Sequence, residues 1–125
     1  MWKILSKRNS DLTVRDAWNC TFSFSSSDRV IGRRLYIWRE YQQANMKTAM
    51  NIYSKIHGHQ DQLILDIGAN IGTVCISLIK NGYFKRGIAI EPEAVNYNYL
   101  ERNVRQNGLE NALYTVKKAV SSQSG

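Results

Sequence analysis

The chain has 125 residues, with 43% hydrophobic and 22% charged side chains, a balance that suits one folded globular domain and excludes a disordered or fibrous chain. Its apolar runs are a few residues long, too short to cross a bilayer, and Met1 to Leu5 has neither the length of a signal-peptide core nor a small-residue cleavage site, so the expected location is cytoplasmic. The net charge is +7 and the two cysteines, Cys20 and Cys75, are too few and too far apart for a zinc cluster, so both are expected reduced.

The basic charge is concentrated early. Residues 1–62 carry ten of the seventeen Lys and Arg against five acids. Arg29, Arg33, Arg34 and Arg39 lie near Tyr36 and Trp38, a composition that also suits nucleic acid. The expectation is a solvated basic face beside an aromatic that packs on the main domain, with an acidic or phosphorylated acceptor as a third possibility. A strand is expected over Cys20 to Ser25, where Cys20, Phe22 and Phe24 alternate with Thr21, Ser23 and Ser25. From Tyr41 to Ile56 the set Met46, Ala49, Met50, Tyr53 and Ile56 follows helical spacing, so a helix should lay that stripe on the sheet or the leader, with Met46 and Met50 in the core. Gly58 ends this helix, and Gln60-Asp61-Gln62 leads into the next strand. His57 and His59 have no further ligands at a recognisable spacing, so no metal is assigned to them. The organisation expected is a basic β/α leader over residues 1–60 and a ligand-binding unit over 61–125.

Residues 63 to 72 read Leu-Ile-Leu-Asp-Ile-Gly-Ala-Asn-Ile-Gly. An apolar strand ending in an acid and followed by glycines is how an open α/β sheet builds a ligand site at its strand tips. A phosphate loop is excluded, because no Gly-Lys-Ser/Thr follows. The dinucleotide fingerprint also fails, since Asn70 and Thr73 stand where its second and third glycines belong. What remains is DxGxNxG: Asp66 can receive an ammonium group directly or through water while the backbone from Gly68 to Gly72 lies against the ligand. An amino-acid-bearing nucleoside meets those demands.

A helix from Thr73 follows, apolar on most sides, with Cys75 packed in the core, and it stops at Asn81-Gly82. Gly87 to Ile90 is a second apolar strand. It ends in Glu91, placed one β-α-β step after Asp66 and suited to accept from both hydroxyls of a ribose. Pro92 should fix the first turn of the next helix and offer an apolar edge to an adenine. That helix, marked by Ala94, Tyr97, Leu100 and Val104, stops at Asn107-Gly108, and Leu113 to Val120 supplies the third strand. The order β-α-β-α-β with short links implies right-handed crossovers and a parallel sheet.

Leu65-Asp66-Ile67-Gly68-Ala69-Asn70-Ile71-Gly72, Ile90-Glu91-Pro92-Glu93, Asn107-Gly108, Lys118-Ala119-Val120-Ser121 and Ser124-Gly125 resemble, in order and spacing, the class I S-adenosylmethionine-dependent methyltransferases, within them the FkbM-type group. Phe24 to Ile37, with Asp28-Arg29-Val30-Ile31 inside it, is similar to the segment preceding the catalytic domain in that group. The resemblance covers roughly residues 22 to 125 and implies a Rossmann-like α/β fold with S-adenosyl-L-methionine as cofactor. It places Asp66, Gly68, Ala69, Asn70 and Gly72 along the methionine part, Glu91 on the ribose, and Pro92 with the turn of Ala119, Val120 and Ser121 around the adenine. It also implies O-methylation of a sugar or natural-product hydroxyl, the partner being a small-molecule or glycan acceptor rather than nucleic acid. Members of the group continue with a strand carrying Lys-x-Asp-x-Glu-Gly. This chain has no such stretch, so the expectation is a fragment holding the first half of the sheet, with no residue assigned as catalytic base. Two other readings stay open: a non-catalytic module binding a nucleoside, RNA or protein partner, and an NAD-binding oxidoreductase fragment.

Overall fold

A computed structural model describes residues 1–8, 10–58 and 63–122. His59, the Gln60-Asp61-Gln62 lead-in and the Ser124-Gly125 pair lie outside the described residues. In chain order the elements are α1 (Trp2–Leu5), β1 (Asp11–Ala17), β2 (Cys20–Ser25), α2 (Ile31–Trp38), α3 (Gln43–His57), β3 (Leu63–Ile67), α4 (Thr73–Lys80), β4 (Arg86–Ile90), α5 (Ala94–Gln106) and β5 (Leu113–Val116). β3, β4 and β5 form a parallel sheet in that order, joined by α4 and α5, the Rossmann-like β-α-β-α-β arrangement expected from the apolar runs.

Strand residues alternate between the two faces of a sheet, and here the faces differ. Ala89 and Leu113 are buried on the side that carries the helices, against Ile76 and Leu100. On the other side Leu65, Ile67 and Tyr114 are 54%, 59% and 72% exposed. A parallel sheet is normally covered on both faces, so this is an open apolar surface.

The leader contains a strand that its sequence did not announce. β1 pairs antiparallel with β2, setting Leu12 opposite Phe24 and Val14 opposite Phe22, and the connection turns through Trp18 and Asn19 at φ of 51° and 61°. The other edge of β2 is paired by side chains. Asn103 Oδ1 accepts from the Ser23 N–H at 2.7 Å and Asn103 Nδ2 donates to the Ser23 carbonyl at 3.1 Å; Asn107 does the same at Thr21, with 2.9 and 2.7 Å. The amides of Asn103 on α5 and of Asn107 at its C-cap thus imitate a neighbouring strand and satisfy backbone groups that would otherwise be buried unpaired. This is why Ser23 is buried although the β2 alternation turns it outward. Phe22, Phe24 and Leu35 of the leader share one core with Ile76 and Leu100.

Three features differ from expectation. Along α3 only Met46 is buried; Met50 and Tyr53 are half-buried, and Ala49 and Ile56 are exposed. The hairpin occupies the surface of α4 that such a helix would cover, through Cys20 beside Ser77 and Asn81 Nδ2 donating to the Trp18 carbonyl at 3.0 Å. β5 stops at Val116 rather than Val120, because its neighbour ends: Ile90 pairs Val116, the Glu91 N–H takes the Val116 carbonyl, and Pro92 has no N–H to extend the ladder. Pro92 itself precedes α5 instead of opening it. Glu93 is the N-cap, its carboxylate accepting from the Val95 and Asn96 N–H groups at 3.0 and 2.7 Å. Both Asn-Gly pairs stop helices as expected, with Gly82 and Gly108 at φ of 78° and 68°. Among the described residues no helix is long and apolar enough to cross a membrane.

Candidate functional site

The loop leaving β3 is folded by its own backbone and by one carboxylate. Gly68 N–H and Ala69 N–H both donate to the Ile90 carbonyl at 2.9 Å, tying the loop to the tip of β4. Asn70 N–H donates to Glu91 Oε2 at 2.8 Å, and Glu93 N–H donates to Glu91 Oε1 at 2.9 Å. Glu91 is 6% exposed, so a buried carboxylate holds the β3–α4 loop and the start of α5 in one register. Each of its oxygens keeps a second lone pair.

Asp66 and Glu91 share the helix-bearing side of the sheet, because Asp66 pairs Ala89 and Glu91 follows two residues later. Asp66 Oδ2 accepts from the Cys75 N–H in the first turn of α4 at 3.3 Å, where the positive end of the helix favours an anion. The Cys75 thiol is fully buried, and burial first, then the Asp66 carboxylate, push its pKa well above the usual thiol range. Cys20 is pushed up by burial as well. Both thiols are free.

The two loop glycines are left-handed for different reasons. At Gly68, φ 79°, a Cβ would meet nothing within 4 Å: the space above it is open. At Gly72, φ 89°, a Cβ would lie 2.6 Å from Ile76 Cδ1 and 2.7 Å from Leu100 Cδ1. Asn70 between them has φ 51°, and its Oδ1 is buried with no hydrogen-bond partner among the described residues. A buried acceptor left unpaired costs about 1–3 kcal/mol. A ligand's donor reaching this atom would remove that cost.

The structure therefore brings Asp66, Gly68, Ala69, Asn70, Gly72 and Glu91 to the tips of β3 and β4. It does not gather the rest as closely. Pro92 is exposed beside this group, and Ala119 and Val120 are exposed in the segment after β5, Val120 at 61%. His57 stacks on Tyr53 with ring centroids 4.8 Å apart. Among the described residues no cluster of three His, Cys, Asp or Glu is placed to hold a metal.

A cavity of about 750 Å³ lies between the leader and the first turn of α5, bordered by Phe24, Asp28 and Tyr41 on one side and by Asn96 and Tyr99 on the other. Asn70 and Ile71 of the β3–α4 loop also line it. Its residues come from four separated stretches, so no local spacing marks them.

No protein-family model and no curated protein sequence matches the chain. Solved structures do. TYW2 of P. horikoshii, in complex with MeSAdo, is similar with a TM-score of 0.63 and 17% identity over 94% of this chain and 39% of that one. TYW2 of M. jannaschii, in complex with AdoMet, gives 0.59 and 21% over 86% and 43%. The N-terminal domain of human METTL16, in complex with SAH, gives 0.51 and 19% over 64% and 36%. The chain spans about two fifths of the length of these structures. With the parallel order of β3, β4 and β5 and the glycine loop at their tips, this likeness shows that the chain has a Rossmann-like α/β fold.

Proposed function

We propose that the chain binds S-adenosyl-L-methionine at the tips of β3 and β4 and supplies the cofactor-holding part of a methyltransferase acting on a hydroxyl of a sugar or natural product, as in the FkbM-type group. The observation that carries this is the open space over Gly68 in a loop that also holds the unpartnered Asn70 Oδ1, with the Asp66 and Glu91 carboxylates on one side of the adjoining strand tips. The residues fit the cofactor's chemistry. Asp66 and Asn70 Oδ1 are acceptors for its ammonium group, and the free lone pairs of Glu91 are acceptors for its ribose hydroxyls. Pro92, Ala119 and Val120 offer apolar contact to the adenine. When bound, the cofactor supplies a methyl group already activated on a sulfonium, so the chain's own task is to bind, orient and exclude water.

AdoMet, MeSAdo and SAH in the similar structures support the cofactor. Isothermal calorimetry of S-adenosylhomocysteine and of NAD against the chain tests it. Saturable binding of the first, abolished by Gly68→Val, is expected. Binding of NAD alone would replace this reading with an oxidoreductase one.

A second reading has one observation in its favour. The outer face of α2 carries Val30, Arg33, Arg34, Ile37 and Trp38 at helical spacing, all exposed, Trp38 at 70%. A basic stripe with an exposed indole suits stacked bases and phosphates, which makes an RNA acceptor the alternative. Quenching of Trp38 fluorescence by a single-stranded oligonucleotide, lost in 0.5 M salt, roughly the range where phosphate contacts are screened, would favour it over the sugar.

A further inference from the structure

We propose that the cavity between the leader and α5 is the acceptor site, and that it takes an uncharged, hydroxyl-bearing ring with one apolar face. The assignment rests on the cofactor reading above, because what makes the cavity an acceptor site is its border with Asn70 and Ile71 of the cofactor loop.

Position is the first argument. Ligands of open α/β sheets bind beyond the carboxyl ends of the strands, and this cavity adjoins the loop that leaves the carboxyl end of β3. At about 750 Å³ it falls within the range of small-molecule sites.

Charge is the second. The chain carries +7 overall, yet no Lys or Arg lines the cavity. Arg29 lies between the lining residues Asp28 and Val30, Arg33 and Arg34 follow two and three residues after Ile31, and all three are exposed. Among the described residues the single charged group in the lining is Asp28, whose Oδ1 already accepts from the Val30 and Ile31 N–H groups at 2.9 and 3.0 Å, leaving Oδ2 as an acceptor. A phosphorylated or carboxylated ligand would meet a carboxylate here and no counter-charge in the lining, which is unfavourable. This argues against the acidic acceptor that the basic leader suggests.

Lining chemistry is the third. Tyr41 and Tyr99 offer aromatic surface; Ser25, Ser27, Asp28 and Asn96 offer neutral donors and several acceptors. Ser25 Oγ and Ser27 Oγ are 2.7 Å apart, a hydroxyl pair that can give and take hydrogen bonds with a ligand hydroxyl. Rings beside hydroxyl and amide groups suit a molecule with one apolar face and an edge of hydroxyls.

Amide chemical shifts of the ¹⁵N-labelled chain provide the test, with methyl β-D-glucopyranoside and glucose 6-phosphate titrated separately, each with and without S-adenosylhomocysteine. The glucoside should produce saturable shifts at Ser25, Ser27, Asp28, Asn96 and Tyr99, and the phosphate should not. Ser27→Trp, at an exposed position, should weaken the glucoside at least about tenfold, the loss expected when a bulky ring occupies its space. No saturable shift at these residues with the glucoside, or equal shifts with the phosphate, would overturn the assignment. Glucoside shifts there without any S-adenosylhomocysteine shifts at residues 68–72 would leave a ligand site and overturn its role as acceptor site.

Discussion

Gly68 and Gly72 have the same backbone handedness and opposite surroundings, so equal substitutions should separate binding from folding. Gly68→Ala adds a methyl group to open space and costs about 1–2 kcal/mol for the left-handed backbone; its larger effect should be on cofactor affinity. Gly72→Ala drives a methyl group into Ile76 and Leu100 as well, adding about 1–3 kcal/mol of overpacking. Urea unfolding of the two variants beside calorimetry with S-adenosylhomocysteine reads both effects. A stable, non-binding Gly68→Ala and an unstable Gly72→Ala is the expected pair. Glu91 combines the two roles. In Glu91→Gln one carboxylate oxygen becomes a donor facing the N–H of Asn70 or Glu93, so both stability and affinity should fall, stability by about 1–3 kcal/mol. Cys75 and Cys20 should ignore thiol reagents at neutral pH until the chain is unfolded, since burial opposes both thiolates.

At the scale of elements, the junction between β2 and α5 is held by amides rather than by a ladder. Asn103 is fully buried and satisfies Ser23 at both backbone groups and the Ile71 carbonyl at 2.8 Å. Asn103→Leu is close in size and leaves those groups unpaired, so it should destabilise the chain by about 3 kcal/mol or more, read from the urea midpoint. The open end of the hairpin is tied to the same helix at the surface, where the Tyr99 hydroxyl donates to Asp11 and Arg102 pairs with it at 2.6 Å. The Tyr99 hydroxyl, and after it Arg102, hold the Asp11 carboxyl below its usual range. The resulting stability is present above the unfolded carboxyl pKa and is lost as pH falls through the folded value. Tyr99 is pushed up to about 12, first by burial and then by Asp11. Its contribution is complete below the unfolded value of 10.0 and is lost as pH rises through about 12. Because the Asp11 side chain is 57% exposed, solvent screening limits this tie to about 1 kcal/mol. Asp11→Asn should therefore flatten the loss of stability between pH 5 and about 2, where an ordinary carboxyl titrates, and leave the cofactor site unchanged.

The same elements show what a sequence can and cannot disclose. β3 and β4 were legible because parallel strands are short apolar runs, and the helix stops because Asn-Gly at left-handed φ is a local demand. Asp66, Gly68 and Glu91 were legible because one β-α-β step is a local unit. β1 was not: Leu12 and Val14 alternate only briefly before Arg15 and Asp16, and the strand exists because β2 needs a partner. That Glu91 also locks the loop depends on the backbone of Asn70, a contact no residue type announces. The wall joining Asp28, Tyr41 and Asn96 is assembled by folding alone.

For the whole molecule, the uneven sheet is the dominant feature. Leu65, Ile67 and Tyr114 form an apolar surface on one side, while the helix-bearing side shares its core with the leader. Exposed contiguous apolar surface favours association. Sedimentation should show reversible self-association that weakens in Leu65→Gln/Tyr114→Gln, with unfolding free energy changed by no more than about 0.5 kcal/mol, as for surface positions. Cofactor binding should survive this change, because Asp66 and Glu91 turn to the opposite side. The most direct measurement is an amide-shift titration of the ¹⁵N-labelled chain with S-adenosylhomocysteine. Saturable shifts centred on Gly68, Asn70, Gly72 and Glu91 are the predicted result; saturation without any shift at these four, or no binding at all, would contradict the account.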